Sequence, residues 1–474
     1  MKPALLTLLI LIGSLLSAQD ICPCVHKLDT LIVIVSRDYA GYHEKFAADR
    51  TRYNTFVDSL RKKAPAAVEE QACTELREAY CAYFKDKRLR MFSTPEIAAK
   101  RNITDPRPLM TGWTADSLRN YFDERADELH EMEGIWKFGE HELGLVYLDT
   151  VGRYQAVNIR SPFSQWKEGM VKFNLTLSGP DSAQIDYWRG EMTFMRFKSF
   201  RSAGHLSLGE LGVLHRTFPE NPDTLSSKAF ELAHGNEVQW RMVDDSTLYI
   251  KIGSCQPWNQ VIIDSIVKAN AAMLERVPAW IIDVRRNWAG QADVFRSLMP
   301  YLSTRAYKDP GFKYWISPAN TAMWRSSAGS GNRDRKAQRA LDRWIRYSEK
   351  HPNTWTGSNY RPLQTVSDRL VPRRIAMLAD TFTAGRAELF LIEARGSSER
   401  TIIVGQTTAG AVDYGNVVSR WLEKDEVFLL LPTSRRNWLG QGLSYDSTGV
   451  RPDVLVGPEE TDHIGFVLRY WKSH

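Results

Sequence analysis

The 474-residue chain has few cysteines, little net charge and few long apolar runs, and each shortage excludes a class of protein. Its five cysteines form no Cys-x-x-Cys pair, so a thiolate metal site is not indicated. Lys and Arg exceed Asp and Glu by 62 − 56 = 6, a mild excess that gives no reason to expect nucleic acid as a partner. With 43% hydrophobic and 25% charged residues, we expect a folded globular protein without a metal or other cofactor.

The one long apolar run lies at the N-terminus and has the features of a secretory signal. Lys2 supplies the positive start, residues 5–16 are apolar, and small residues at 17–18 precede a cleavage point near Gln19. The run is too short for a comfortable membrane span. We therefore expect a signal peptide at 1–19 and an exported mature chain, periplasmic or extracellular, that is not inserted in a membrane.

Export makes disulfide pairing of the cysteines plausible. Cys22 or Cys24 is expected to tie the mature N-terminus to Cys73 or Cys81, which lie on one predicted helix. Because five is an odd number, at least one thiol, with Cys255 among the candidates, stays free or pairs between molecules.

The pattern along the chain predicts an α+β multidomain protein. Residues 20–128 have the three- and four-residue apolar spacing of helices. Residues 129–225 contain short aromatic and β-branched runs such as GIWKF and YQAVNI, which predict an antiparallel β domain, a small barrel or a sandwich. Residues 226–474 alternate strands with helices, as in an α/β core with largely parallel pairing. Residues 322–360 interrupt this pattern with a basic, helical insertion, interpreted as a lid or as a solvated charged helix.

The most informative stretch is residues 375–416, which reads as strand, sharp turn, helix, strand and glycine turn. A strand followed at once by a turn and a helix presents one side chain at the start of the helix, the layout that hydrolases use for a nucleophile. The residue at that position is Gly385, which has no side chain to present.

Several segments together resemble the tail-specific, or C-terminal processing, serine peptidases, and most closely an exported bacterial branch related to the tricorn protease core. The resemblance implies a crotonase-like α/β peptidase core. The segments that carry it are CPCVHKL at 22–28, FKDKRLRMF at 84–92, EGIW at 133–136, LYIKIGS at 248–254, WIIDVRRNWAG at 280–290, TAGRAELF at 383–390, VGQTTAGAVDYGN at 404–416 and GVRPDVLV at 449–456.

The resemblance implies a catalytic serine three residues before Glu388, where this chain has Gly385. Thr383 is the nearest hydroxyl that could replace it, although the backbone would have to shift register. A simpler interpretation of Thr383 is the N-cap of the helix that follows. The nucleophile of the family is therefore absent unless it has been relocated.

The general base of the family is also missing. The resemblance implies either a lysine just after the Thr-Ala-Gly turn, where Ala411 stands, or a histidine shortly after Asp86. Arg88 occupies the histidine place and Lys87 the glycine before it. A guanidinium cannot accept a proton near neutral pH, so Arg88 cannot act as the base.

The resemblance also indicates where an oxyanion and a peptide would bind. Gly290 and Arg386 fall in the oxyanion region, while Asn287, Trp288 and Tyr414 are the candidate substrate-binding residues. The loop after the 280–284 strand is glycine-rich in the family, and Trp288 replaces one of those glycines.

Three hypotheses follow from these residues. The first is a catalytically inactive peptidase homologue that binds an extended peptide or a protein C-terminus. The second is an active serine-type peptidase with a relocated nucleophile. The third is a structural or interaction protein that acts through its β domain.

Overall fold

A computed structural model describes most of the chain. It covers residues 23–93, 108–188, 194–202, 204–208, 212–220, 230, 238–288, 290, 293–328, 335–358, 361–362, 366, 368–423, 427–446, 448–457 and 459–474. The predicted signal peptide at 1–19 and Cys22 lie outside these residues. Within them, no helix combines the length and the apolar character that crossing a membrane requires.

The chain begins with helices packed around an apolar core. They are α1 (Pro23–Asp38), α2 (Tyr42–Ala48), α3 (Arg50–Lys63) and α4 (Glu70–Tyr83). The first of these buries Leu28, Leu31 and Val35, which lie on one face because they are three or four residues apart. After a gap, α5 (Ala115–Glu124) packs against a different cluster, because its Leu118 and Phe122 lie with Ile135, Val146 and Val157.

A disulfide joins α1 to α4. Of the pairings left open by the sequence, Cys24–Cys73 is the one formed, with Cα atoms 5.4 Å apart. Cys81 and Cys255 are buried thiols, and burial raises the pKa of each to about 12, so neither is a thiolate at neutral pH.

The short strands of the middle region close into an eight-stranded antiparallel barrel. Its strands are β2 (Gly134–Phe138), β3 (His141–Leu148), β4 (Arg153–Arg160), β5 (Val171–Gly179), β6 (Ser182–Trp188), β7 (Phe194–Ser202), β8 (His205–Ser207) and β9 (Val213–Phe218). Closure comes from β2 pairing with β9, with Ile135 opposite Phe218. Alternate residues such as Trp136, Phe173 and Leu214 fill the interior, so the barrel is packed and not a channel.

The C-terminal half contains a six-stranded sheet. In spatial order its strands are β10 (Val238–Asp244), β11 (Thr247–Ile252), β12 (Ala279–Asp283), β17 (Arg374–Ala379), β18 (Thr401–Gly405) and β21 (Val454–Leu455). All its pairs are parallel except β10 with β11, as the alternation of strands and helices predicts. The helices of this half are α6 (Pro257–Ala269), α7 (Ala271–Leu274), α8 (Met299–Leu302), α9 (Pro318–Ala328), α10 (Arg335–Lys350), α11 (Arg386–Ser397) and α12 (His463–Ser473).

A second, antiparallel sheet joins the helical region to this half. Its long hairpin is β19 (Tyr414–Glu423) and β20 (Val427–Arg436), and β20 also pairs with β1 (Arg90–Ser93) and β14 (Phe312–Ile316). Strand β15 (Thr354–Ser358) extends the sheet beside β14. Two short strands, β13 (Lys308–Asp309) and β16 (Arg361–Pro362), form a separate pair.

Part of the predicted insertion at 322–360 is packed into this sheet. Strand β15 pairs with β14, and Trp344 of α10 contacts Trp324 of α9 and Tyr314 of β14, with ring centroids 4.3 and 5.2 Å away. One face of α10 is thereby anchored, and the other face is left to solvent.

Candidate functional site

The sharp turn predicted between a strand and a helix is formed. Strand β17 ends at Ala379 and α11 begins at Arg386, with Gly385 as its N-cap at φ 64° and ψ −113°. This positive φ is the strained backbone of a turn that aims its side chain outward, and glycine adopts it at little cost. The interpretation of Thr383 as the N-cap is wrong, because Gly385 has that place.

Thr383 instead closes the turn from inside. Its side chain is fully buried, and its hydroxyl accepts a hydrogen bond from the backbone N–H of Asp380 at 3.0 Å. The same oxygen lies 3.0 Å from the carbonyl oxygen of Val284 and 3.0 Å from Oδ1 of Asp380, and one of these accepts its proton. These contacts hold the hydroxyl within the protein.

Glu388 holds the turn against the glycine turn at 407–410. Its carboxylate is fully buried, and Oε2 accepts from the backbone N–H of Gly385 at 2.8 Å and of Ala411 at 2.9 Å. Oε1 accepts from Gly410 N–H at 2.7 Å and from the hydroxyl of Thr408 at 2.5 Å. Four donors therefore compensate the buried charge and position residue 385 relative to residue 411.

Arg88 occupies the space in front of Gly385. A Cβ built on Gly385 would lie 2.6 Å from Nη2 of Arg88, and the next nearest atoms are Cζ of Arg88 at 3.8 Å and the carbonyl oxygen of Ala411 at 3.9 Å. The fold thus brings together residues 385, 88 and 411, which are far apart in the sequence. The guanidinium stands where a nucleophile would be attached.

The segment that carries Arg88 is held on both sides. Its own backbone N–H donates to Oδ1 of Asp86 at 2.9 Å, and its Nη1 donates to the carbonyl oxygen of Tyr414 at 2.7 Å. The ammonium of Lys87 donates to the carbonyl oxygen of Ala409. Strand β1 follows directly and pairs with β20, Arg90 opposite Leu430, so the segment is fixed to the core.

The oxyanion-region residues lie on neighbouring loops. Gly290 has φ +91°, and a Cβ there would lie 2.1 Å from the backbone of Cys255, so the close approach of these two chains needs glycine. Arg386 forms an ion pair with Asp293, and its guanidinium lies 5.8 Å from the ring centroid of Phe295. Part of the charge of Arg386 is therefore neutralised within the chain.

The three substrate-binding candidates differ in exposure. Trp288 is 40% exposed beside the turn, whereas Asn287 is buried and its Nδ2 donates to the carbonyl oxygen of Ile252 at 2.9 Å. Tyr414 is buried, with its hydroxyl 3.0 Å from Oε2 of Glu44. The proposed roles of these residues in binding stay predictions.

A cavity of about 290 Å³ opens behind Tyr414, between the N-terminal helices and the core. Asp446 lines it, and its Oδ1 accepts from the backbone N–H groups of Val412 and Asp413, both at 2.8 Å. Burial, and next the charges of Asp86 and Asp413, raise the pKa of Asp446 to about 7. Asp446 was not predicted from the sequence, because a lone aspartate in a loop has no pattern of its own.

No imidazole takes part in the site as far as the described residues show. His205 and His215 face each other in the barrel with ring centroids 5.1 Å apart, and His234 lies outside the described residues. Nor do the described residues contain a group of three or more His, Cys, Asp or Glu side chains that could hold a metal ion.

The turn, its buried glutamate and the loops around them lie within one recognisable region of the sequence. The model of a protein family described as peptidase family S41 matches residues 246–456. This region belongs to peptidase family S41. The resemblance to tail-specific serine peptidases is thereby confirmed at the level of the family. The matched S41 region contains Gly385, Glu388 and Asp446, whereas Arg88 reaches it from outside.

Solved structures of related peptidases align with nearly the whole chain at low identity. Mature CPAF complexed with lactacystin aligns over 95% of this chain and 97% of its own, with 11% identity and a TM-score of 0.47. The photosystem II D1 C-terminal processing protease aligns over 93% and 94%, with 12% identity and a TM-score of 0.40. The tricorn protease aligns over 95% of this chain and 36% of its own, with 12% identity and a TM-score of 0.38. No curated protein matches the chain by sequence.

Proposed function

We propose that this protein is a non-catalytic S41 homologue that binds an extended peptide or a protein C-terminus at the Gly385 turn. One observation carries the proposal: the guanidinium of Arg88 fills the place where a side chain at residue 385 would stand. A binding group has replaced the reacting group, while the surrounding turn keeps its shape.

The chemistry of peptide cleavage lacks its first two requirements at this turn. Glycine offers no nucleophile, and a guanidinium does not accept a proton at neutral pH. When members of a serine triad are removed, only roughly 10³- to 10⁴-fold catalysis over water remains. Thr383 is unsuited as a replacement because its hydroxyl is buried and hydrogen-bonded within the turn.

The same arginine is suited to bind a carboxylate. Arg88 is partly exposed, and its guanidinium forms no ion pair with any acidic residue in the described part of the chain. Only Nη1 has a partner there, the carbonyl oxygen of Tyr414. A guanidinium with a free edge binds carboxylates through two parallel hydrogen bonds. A terminal carboxylate, or an acidic side chain within an extended peptide, fits this requirement.

We further propose that the matched region has a crotonase-like core and that the protein is exported. The parallel sheet with Gly385 at a strand-to-helix turn supports the first. The Cys24–Cys73 disulfide and the apolar N-terminus support the second, because disulfides persist in oxidising compartments.

Catalytic inactivity can be tested with a serine-reactive fluorophosphonate and with unstructured peptides. We expect no covalent labelling and no cleavage by the purified protein. Labelling or cleavage that disappears in Thr383→Ala would contradict the proposal and would favour the active peptidase with a relocated nucleophile.

Carboxylate binding can be tested with pairs of peptides that differ only in a free or an amidated C-terminus. We expect Arg88→Gln to weaken binding of the free-carboxylate peptide by about tenfold or more, the size expected for a charge-assisted hydrogen bond. Arg451→Gln, which removes one exposed arginine elsewhere, is the matched control and should leave binding unchanged. Equal binding by wild type and Arg88→Gln would contradict the proposal and would favour an interaction through the barrel.

A further inference from the structure

Helix α10 carries an unbalanced row of positive charge on its outer face. Its sequence is RKAQRALDRWIRYSEK, and its six basic residues are all exposed: Arg335, Lys336, Arg339, Arg343, Arg346 and Lys350. At 3.6 residues per turn these six positions fall within an arc of about 100°. We call this arc the basic face of α10.

The charges of the basic face are not neutralised within the described part of the chain. None of the six side chains forms an ion pair there. The two acidic residues of the helix lie beside the arc and have other partners: Asp342 accepts from Gln338 at 3.0 Å, and Glu349 pairs with Arg325 of α9. Like charges on one helix face repel each other and destabilise the helix, so an arrangement of this kind gains from an anionic partner.

The helix is rigidly attached, so the basic face has a fixed direction. Ile345 and Ser348 are buried, and Trp344 lies against Trp324 and Tyr314. Because Trp344 and Ile345 face inward, they are not available to enter a lipid bilayer, as the apolar residues of amphipathic membrane helices do. A membrane would be held mainly by charge.

We propose that the basic face of α10 binds an acidic, extended segment of a partner protein. Arg335, Arg339, Arg343, Arg346 and Lys350 follow each other at three or four residues, which is about 4.5–6 Å along the helix axis. An extended peptide presents alternate side chains on one side about 6.6 Å apart. Five carboxylates at every second position of such a segment span about 26 Å, against about 22 Å for the five cations, a difference that the long arginine and lysine side chains can bridge. Four of the six cations are arginines, whose planar groups suit carboxylates.

This inference is independent of the proposed function, because it uses no residue of the Gly385 turn. The probe is a fluorescent peptide of alternating Glu and Ser, acetylated and amidated so that it offers no terminal carboxylate to Arg88. A peptide of the same composition with all its Glu residues in one block tests the register. Fluorescence anisotropy at two salt concentrations measures the dissociation constant and its salt dependence.

We expect Arg339→Gln, Arg343→Gln and Arg346→Gln together to weaken binding of the alternating peptide about tenfold, as three exposed charge pairs would. The matched control replaces Lys62, Lys63 and Lys268 with Gln; these lysines are exposed on other helices, and their loss changes net charge equally. The control should bind within about twofold of wild type.

Three results would overturn the inference: equal loss of binding in both triple variants, equal binding of the alternating and block peptides, or binding only to anionic lipid vesicles or to a polyuronate. Circular dichroism of both variants shows whether either has failed to fold. If the Arg88→Gln test fails while this one succeeds, the proposed function falls and the basic face stands.

Discussion

Glu388 and Arg88 lie on either side of the same turn, and their surroundings are opposite in kind. The carboxylate of Glu388 is fully buried and accepts four hydrogen bonds. The guanidinium of Arg88 is partly exposed and has one hydrogen bond, to a backbone carbonyl. The hydrogen bonds of Glu388 hold the turn in place, whereas Arg88 is the residue that the proposed function assigns to the ligand. The turn therefore keeps its shape although residue 385 carries no side chain.

The largest expected effect on stability comes from removing the buried carboxylate of Glu388. Glu388→Ala leaves three backbone N–H groups and the Thr408 hydroxyl without their acceptor, and we expect the free energy of unfolding to fall by about 3–5 kcal/mol. Urea denaturation measures it. Glu399→Ala, at a side chain 83% exposed, should change stability by no more than about 0.5 kcal/mol. A similar loss in both variants would mean that the buried hydrogen bonds of Glu388 stabilise the fold no more than an exposed carboxylate does.

A smaller effect on stability is expected where residue 385 meets Arg88. Gly385→Ala places a Cβ 2.6 Å from Nη2 of Arg88 at a positive φ, and we expect a loss of about 2 kcal/mol in unfolding free energy. In an Arg88→Ala background the loss should be smaller by about 0.5–1 kcal/mol, because only the backbone strain remains. Gly440→Ala is the control, since a Cβ there meets no atom within 4 Å. Additive losses in the double variant would show that Arg88 does not stand in front of residue 385.

The pH dependence of stability tests the burial of Asp446 in the cavity behind Tyr414. Asp446 has a pKa of about 7 in the folded protein, against about 4 in an unfolded chain. Its contribution to stability is therefore present below about pH 4 and is lost as pH rises through about 7. Asp446→Asn should remove this loss, making the variant more stable relative to wild type at pH 8 than at pH 4, by on the order of 1–2 kcal/mol.

Thermal unfolding of wild type and Asp446→Asn across this pH range measures the difference. Asp116→Asn, at a carboxylate 94% exposed, should follow the wild-type curve. Parallel curves for wild type and Asp446→Asn would mean that the burial of Asp446 does not hold its proton.

The smallest effect on stability is expected at Arg88. Arg88→Gln removes a single hydrogen bond from a partly exposed group, and we expect the unfolding free energy to change by no more than about 0.5 kcal/mol. Urea denaturation beside Glu388→Ala gives the comparison directly. A loss above 2 kcal/mol would make Arg88 a structural residue and would weaken the case for binding.

Local patterns were sufficient for much of the secondary structure. The turn at Gly385 and the parallel order around β17 follow from alternating apolar strands and helices. Closure of the barrel does not follow, because alternation along β2 cannot say whether its free edge meets β9. The N-cap was misplaced by two residues, at Thr383, because a threonine before a helix is usually its cap while this turn needed glycine.

The site was less predictable, because its contacts join distant parts of the chain. Arg88 was selected through a family resemblance, and its place in front of Gly385 depends on the pairing of β1 with β20 and on hydrogen bonds to residues 409 and 414. The partners of the other candidates, such as Asp293 for Arg386, depend on loop packing that no local spacing records. Asp446 was missed for the same reason, since its environment is created by segments far from it in sequence.

The positive φ at Gly385 couples residue 385 to Arg88. A serine at residue 385 would introduce backbone strain and a clash with Nη2 of Arg88 at once. A variant meant to carry a hydroxyl at this turn therefore needs a smaller residue at position 88 as well, so the two positions have to be redesigned together.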